Sequence, residues 1–317
     1  MRLIEERPRS VDAFPAMGEE PSPDLICVGG GKGGVGKTCF AVNIAVAIAN
    51  RGWRVVLVDA DLSCSNVETV LGTNAPYCLD DFFYHKGRKS LEPILQDTPY
   101  QNLRLVPGTS GLLDVANPRY QQKQALIREL RQLKADLIII DLDAGARLNT
   151  LDFFLMTDTN GILVITAEKT SIDNAFKFLR AALYRRIERF YQAPELALLL
   201  KRHSSLPAFL EGLRRSDCFS REMRDTICGE IMAIAQSTKP RIVVNRARNA
   251  YEAQIAANIF AKQARNELLI ETENLGFVFF DPVVSEAINS GIPFVLSHAD
   301  QRISECIEDI ANRLGYI

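Results

Sequence analysis

Long apolar runs are the plainest absence in this sequence. None of its 317 residues falls in a continuous apolar stretch of about 18, the length a membrane-spanning helix requires. An excess of charge of one sign is missing too: 37 basic residues face 39 acidic ones, and the net charge of −2 excludes a global field that would draw nucleic acid. The seven cysteines (27, 39, 64, 78, 218, 228 and 306) are odd in number and contain no C-x-x-C pair. That pattern fits small reduced thiols better than a disulfide framework or a zinc site. The opening residues, MRLIEERPRSVDAFPAMGEEPSPD, lack the apolar core of a signal peptide. Residues 1–22 are expected to form a disordered tail.

Apolar strand-length runs are present and alternate with helical patterns almost throughout. DLICVGG (24–30), RVVLVDA (54–60), LRLVPG (103–108), DLIIID (136–141), GILVITA (161–167), RIVVNRA (241–247) and FVFFD (277–281) read as strands. Because several are apolar on both faces, they predict an α/β fold: a doubly wound, mostly parallel sheet with helices on each side. In such a sheet ligands sit at the C-terminal ends of the strands. Residues of about 193–238 carry helical periodicity with no strand, and read as a helical insertion in one domain spanning 23–317.

The densest chemical signal is GKGGVGKT, residues 31–38, which satisfies G-x-x-x-x-G-K-[ST] between an apolar strand and an amphipathic helix. Glycine lets the backbone curl so that successive N–H groups converge on phosphate oxygens, and the helix N-terminus adds its dipole. Lys37 supplies a charge for the β and γ phosphates, and the Thr38 hydroxyl a magnesium ligand. Gly31, Lys32, Gly33, Gly34, Val35, Gly36, Lys37, Thr38 and Cys39 are therefore expected to form an ATP and Mg²⁺ site. The lysine at position 32 is surplus to that motif.

KGGVGKT resembles the deviant P-loop of the MinD/ParA family of P-loop ATPases, whose mark is this early lysine. The resemblance covers about residues 24–192 and 240–317 and implies that Lys32 reaches across a dimer interface to the ATP of a second subunit. VDADLSCSN is similar to the family's D-x-D-x-x-x-x-N segment. It implies that Asp61 positions or activates the attacking water, while Asp59 supports the magnesium shell and the loop acts as a first switch. In ADLIIIDLDAGARLN, Asp141 corresponds to the family's Walker B aspartate, which holds a water on the metal. Asp143 stands where the family usually has glycine or proline, a second carboxylate that adds repulsion beside magnesium and phosphate unless it pairs with Lys32, Arg147 or metal. Asn149 reads as a helix N-cap. By resemblance, Asn245 hydrogen-bonds adenine, and Asp281 with Pro282 lines the base.

The segments IIID…AG and FDPVVSEA…G-PFV look most like the MinD/FlhG branch. The resemblance implies a weak, partner-stimulated ATPase that dimerises with Mg-ATP and recruits a protein partner, such as an FlhF-like GTPase or a flagellar or division protein. A cytoplasmic place follows from it, with any membrane or polar recruitment going through that partner. A ParA-like ATPase riding on DNA is an alternative, for which Arg185, Arg186 and Arg189 with Lys177 and Arg180 would be the patch; a solvated helix face is the plainer reading. An Mrp-like iron–sulfur carrier is the other, against which stands the loose spacing of Cys218 and Cys228. The C-terminal pattern Ile303, Ile307, Ile310, Leu314 is amphipathic, but Glu305, Glu308 and Asp309 on its polar face would be repelled by anionic lipid. It is expected to pack on the sheet.

Overall fold

The structure is a computed structural model that describes residues 22–63, 65–84, 90–109, 118–157 and 161–317. Apart from Ser22, the tail expected over residues 1–22 lies outside the described residues. In chain order, β1 (Asp24–Gly29), α1 (Lys37–Asn50) and β2 (Val55–Ala60) open the fold, followed by α2 (Val67–Leu71), α3 (Leu79–Tyr84), β3 (Gln96–Asp97) and β4 (Leu103–Val106). Next come α4 (Tyr120–Leu130), β5 (Leu137–Leu142), α5 (Leu148–Met156), β6 (Ile162–Ile165) and α6 (Lys169–Tyr191). Three helices follow without a strand: α7 (Pro194–Lys201), α8 (Leu206–Arg215) and α9 (Arg221–Ser237). The chain ends through β7 (Arg241–Ala247), α10 (Ala250–Leu268), β8 (Glu273–Phe279), α11 (Val283–Ser290), α12 (Phe294–Ser297) and α13 (Arg302–Arg313).

The strands form one eight-stranded sheet in the order β3-β4-β2-β5-β1-β6-β7-β8, parallel except for the two-residue edge strand β3. The chain steps from β1 toward β2 on one side and from β5 across to β6 on the other. The end of β1 is thus the point where the direction of winding reverses, the place such sheets use for ligands. Alternation along the strands divides the core in two. Leu25, Cys27, Val56, Val58, Ile138 and Ile140 face one helical layer, whereas Ile26, Val28, Val55, Leu57, Leu137 and Ile139 face α1 and α13. Helix α1 is apolar almost all round because α13 and α12 cover the side that the sheet does not.

Two sequence boundaries move. The last strand runs over 273–279, not 277–281: it is a sheet edge whose first residues, Glu273 and Asn274, are exposed, so its polar half gave no apolar signal. Strand β3 has no apolar residue at all and forms by pairing Gln96 and Asp97 with Leu105 and Arg104. Helices α7–α9 fill the stretch read as helical, and Leu200, Phe209, Leu213, Ile231 and Ile234 belong to the same core cluster as the strands beneath them. That segment widens one helical layer and has no separate core.

The arginines of α6 are not a free basic face. Arg189 and Arg185 bond the Asp152 carboxylate at 2.6 and 3.4 Å, and Arg186 donates to Thr238 Oγ1 at 2.8 Å. Asp152 also takes a bond of 2.5 Å from Lys123, and both members of that pair are only 3% exposed. Lys123 donates to Asn149 Oδ1 at 2.8 Å as well, which explains why Asn149 is not the helix cap expected of it. Helix α5 starts earlier, after the extended Arg147, and the amide of Asn149 is drawn to the buried ammonium. Removing one partner of such a pair leaves an uncompensated charge in the core. Asp152→Ala is therefore expected to destabilise the protein by about 3–5 kcal/mol, and Lys123→Met with Asp152→Leu to recover most of that loss, as read from urea unfolding midpoints.

Candidate nucleotide site

Residues 30–36 connect β1 to α1 at the reversal point, and two glycines there are fixed by geometry. Gly36 has φ +89°, and a Cβ on it would stand 2.2 Å from Asn245 Nδ2. A Cβ on Gly31 would stand 2.1 Å from the backbone of Asn174 in α6. Only glycine lets the loop turn this way while pressed against its neighbours. No side chain caps α1 and no acidic residue lies in its first turn, so its leading N–H groups are left for an anion. Val35 is buried and Lys37 is 7% exposed, whereas Lys32, Gly33 and Gly34 face solvent.

Asp59 and Asp141 are register partners at the ends of the adjacent strands β2 and β5, on the face that α1 covers. Both are out of water, at 0% and 1% exposure, but their bonding differs. Asp59 accepts from the N–H groups of Asp61, Asn66 and Val67 at 3.0, 3.1 and 3.1 Å and from the Ser65 hydroxyl at 2.6 Å. It is the hub that shapes the loop after β2. No hydrogen bond of ordinary geometry reaches either oxygen of Asp141, although the Thr38 hydroxyl lies near enough to favour its charged form. Burial pushes the Asp59 carboxyl up to about 6 in spite of its hydrogen bonds. It raises Asp141 well above the ordinary range too, helped by the charge of Asp59 and only partly offset by Thr38 and Lys37.

A buried carboxylate with both oxygens unpaired, beside a threonine hydroxyl and a lysine, fits a hard cation held partly by phosphate and water. Among the described residues no group of three or more His, Cys, Asp or Glu could hold a metal by itself. Magnesium carried in with a nucleotide does not need one. The donor set of Thr38 and Asp141, with Asp59 behind them, therefore suits Mg²⁺ bound to phosphates.

Beyond Asp59, the side chain of Asp61 is partly buried and accepts from the Ser63 N–H at 3.1 Å, with the Ser63 hydroxyl oxygen equally near. Asp143 pairs with Arg147 at 3.1 Å, one of the three partners open to it, and its Oδ2 lies 2.7 Å from the Ser63 hydroxyl. Lys32 instead meets Glu168 at 3.5 Å, with side chains 44% and 68% exposed. Such a solvated pair is worth under about 1 kcal/mol, so Lys32 is cheaply released. The Gly145 N–H donates to the Gly30 carbonyl at 3.0 Å, which joins the loop after β5 to the phosphate loop.

On the other side of the loop lies a cleft of about 260 Å³ lined by Cys39, Phe40, Asn245, Arg246, Phe280 and Asp281, among others. Asn245 donates to the Val35 carbonyl at 2.8 Å and accepts from the Arg246 N–H at 2.9 Å, so one donor of its amide holds the loop and one lone pair is taken by its own neighbour. Asp281 accepts from the Val283 N–H at 3.0 Å. Pro282 stands at the head of α11, exposed and outside the lining, rather than beside Asp281 in the cleft. Burial raises the Cys39 thiol to about 12, so it lines the cleft as a neutral group. Sequence reasoning missed Arg246, which takes φ +58° and lies over the Phe280 ring at 5.6 Å; its only signal was its place after Asn245.

The sequence pattern of the CobQ/CobB/MinD/ParA nucleotide binding domain matches residues 26–294. The chain belongs to this family. Among members of the CobQ/CobB/MinD/ParA family, the antiactivator FleN of Pseudomonas aeruginosa is 34% identical over 165 residues, 52% of this chain and 58% of FleN. The septum site-determining protein MinD of Bacillus subtilis is 29% identical over 157 residues, 49% of this chain and 58% of that MinD. The chain thus spans just over half the length of these two relatives. In fold it is similar to MinD of Pyrococcus horikoshii in complex with Mg-ADP, with a TM-score of 0.62 and 21% identity over 92% of this chain and 96% of that one. A ParA family ATPase of Chlorobium tepidum superposes with a TM-score of 0.61 at 16% identity, covering 93% of this chain and 100% of the other.

The raised carboxyls give a signed pH dependence. A carboxyl whose folded value lies above its unfolded value near 3.8 favours folding fully below that value and loses the benefit as pH rises through the folded value, about 6 for Asp59. Without nucleotide, Asp141→Asn, which removes the second buried charge, is expected to gain stability relative to wild type as pH rises from 5 to 7. Urea midpoints at the two pH values, taken as variant minus wild type, check the slope, and addition of Mg-nucleotide should reverse the sign in favour of wild type.

Proposed function

We propose that this chain is an ATPase switch of the MinD/FlhG kind, in which Mg-ATP drives dimerisation and recruitment of a protein partner and slow hydrolysis ends it. The observation that carries the reading is the unpartnered, buried Asp141 carboxylate next to Thr38 and Lys37, at the end of a loop built to receive phosphate. Bound magnesium would supply neutralisation of phosphate charge. Thr38 and Asp141 would hold it, and Asp59, already saturated by N–H and O–H donors, would fix the loop around it. Gly31, Gly33, Gly34, Val35 and Gly36 would cradle the phosphates and Lys37 would bind their outer oxygens. Asp61 would orient the attacking water, and Lys32, solvent-facing and lightly held, would complete the site of a second copy. Asn245, Arg246, Cys39 and Asp281 would surround the base, with Pro282 fixing the turn beside them.

The family resemblance extends to partners. FleN is named an antiactivator, and a structurally similar MinD from Aquifex aeolicus, with a TM-score of 0.59, forms a MinC:MinD complex. A recruited protein of flagellar or division function suits this chain on that basis. Neither rival reading gains an observation. The α6 arginines are engaged with Asp152 and Thr238, which takes from a DNA-riding ATPase its most basic candidate surface. Cys218 is exposed while Cys228 is buried on α9, which does not suit a shared cluster. The apolar face of α13 is spent: Ile303, Ile307 and Ile310 are buried against α1 and β8. The family resemblance is our ground for a cytoplasmic ATPase brought to a membrane or pole by its partner; among the described residues no helix is long and apolar enough to cross a membrane.

Two lysine variants separate binding from dimerisation. Lys37→Ala should weaken ATP binding by roughly 100-fold in calorimetry, because it removes a charged partner of buried phosphates. Lys32→Ala should bind ATP almost as wild type yet fail to dimerise with a non-hydrolysable analogue in light scattering; a normal dimer would rule out a cross-subunit Lys32. Asp61→Ala should lower turnover by about 100-fold while leaving the ATP-bound dimer intact, and unchanged turnover would remove Asp61 from the chemistry.

A further inference from the structure

Asp143, Ser63 and Arg147 form a group outside the roles assigned so far. Asp61 and Ser63 lie in the loop after β2, Asp143 and Arg147 in the loop after β5, and these strands are neighbours in register. The Ser63 hydroxyl lies 2.7 Å from Asp143 Oδ2 and 3.1 Å from Asp61 Oδ1. Arg147 donates to Asp143 Oδ2 at 3.1 Å and reaches the Ser63 oxygen at 3.4 Å. A hydroxyl has one proton and cannot give it to two carboxylates at once. The shorter contact places it on Asp143, leaving Asp61 Oδ1 bonded to the Ser63 N–H. Arg147 keeps the carboxylate and hydroxyl of opposite loops together by bonding both.

The geometry points to Asp143 as a positioning residue: through Ser63 it latches the loop that carries Asp61 to the loop after β5 and so holds Asp61 in its resting orientation. This rests on the reading of Asp61 as the group that orients water. Asp61 Oδ1 is turned toward its own loop by Ser63, and Ser63 is anchored from across the strand boundary. Turning Asp61 outward breaks its bond from the Ser63 N–H, and the Ser63–Asp143 bond resists this by fixing the residue that donates it. Glycine at position 143, with no carboxyl, could form no such bond. The latch is a brake particular to the aspartate at this position.

Three variants separate a latch from a simple charge effect. Asp143→Gly removes both bond and charge, Ser63→Ala removes the bond and keeps the charge, and Asp143→Asn removes the charge but keeps an oxygen for Ser63 to bond. Two quantities are measured on the full chain: amide hydrogen exchange over residues 61–67 without nucleotide, and steady-state ATP turnover. The latch requires that Asp143→Gly and Ser63→Ala each speed exchange and raise kcat by about 3- to 10-fold with little change in KM, that their combination add nothing further, and that Asp143→Asn stay near wild type. If Asp143→Asn matches Asp143→Gly while Ser63→Ala is silent, charge repulsion alone acts and the latch is overturned. Unchanged or slowed exchange in Asp143→Gly and Ser63→Ala overturns it as well, whatever the turnover, and so do additive effects or a fall in kcat. Accelerated exchange in a protein that hydrolyses no ATP would uphold the tie between the loops and count against the role of Asp61 instead.

Discussion

Two carboxylates without water, side by side at the ends of β2 and β5, are the constraint around which the rest of this structure is arranged. Parallel register makes Asp59 and Asp141 neighbours, and strand alternation turns both toward α1. Burying one such group unpaired is costly, and burying two raises the cost through their mutual repulsion. The fold meets it unequally, surrounding Asp59 with four donors and giving Asp141 none. The asymmetry makes one carboxylate a structural hub and leaves the other poised for a cation. The uncapped start of α1, the glycines that keep Cβ atoms away from Asn245 and Asn174, and Lys37 are all grouped around that vacancy in bonding.

What could be read from the sequence follows from how local the signals are. The phosphate loop was legible because its chemistry is contiguous: glycine spacing, one lysine, one threonine, a strand before and a helix after. The parallel sheet was legible because strands covered on both faces are apolar at every position. Asp59, Asp61 and Asp141 stood out because each lies at or just past the end of such a strand. Signals that depend on the partner across space were not legible. Asn149 looked like a helix cap until the buried Lys123 claimed it, and Arg185 and Arg189 looked like a solvated face until Asp152 was found between them. Strand β3 and the polar half of β8 exist because a neighbouring strand offers hydrogen bonds at the sheet edge, which no periodicity in their own residues announces.

The site is also more interlocked than a collection of motifs would be. Asn245, on β7, holds the Val35 carbonyl of the phosphate loop, and Gly145, after β5, holds the Gly30 carbonyl at the other end of the same loop. The loop is thus held by hydrogen bonds from two separate strand ends. A change at the base-binding side and a change at the loop after β5 both reach the phosphate site through hydrogen bonds to its loop carbonyls. That economy is consistent with a site that reports its occupancy to its surroundings.

The covering of α1 has a consequence for the order of events in the cell. The helix that begins at the phosphate loop is synthesised before the residues that cover it. Its buried Asn43, however, accepts from the Val295 N–H, 252 residues later, and Arg51 at its end bonds Asn312 and the Tyr316 carbonyl, 261 and 265 residues later. Until those residues leave the ribosome, α1 has a bare apolar side and an unfinished end, and the loop before it lacks a firm base. The helix at the nucleotide loop thus depends for its covering on residues 252 to 265 positions later, a long-range closure that ties the support of that loop to the folding of the far end of the sheet's helical layer.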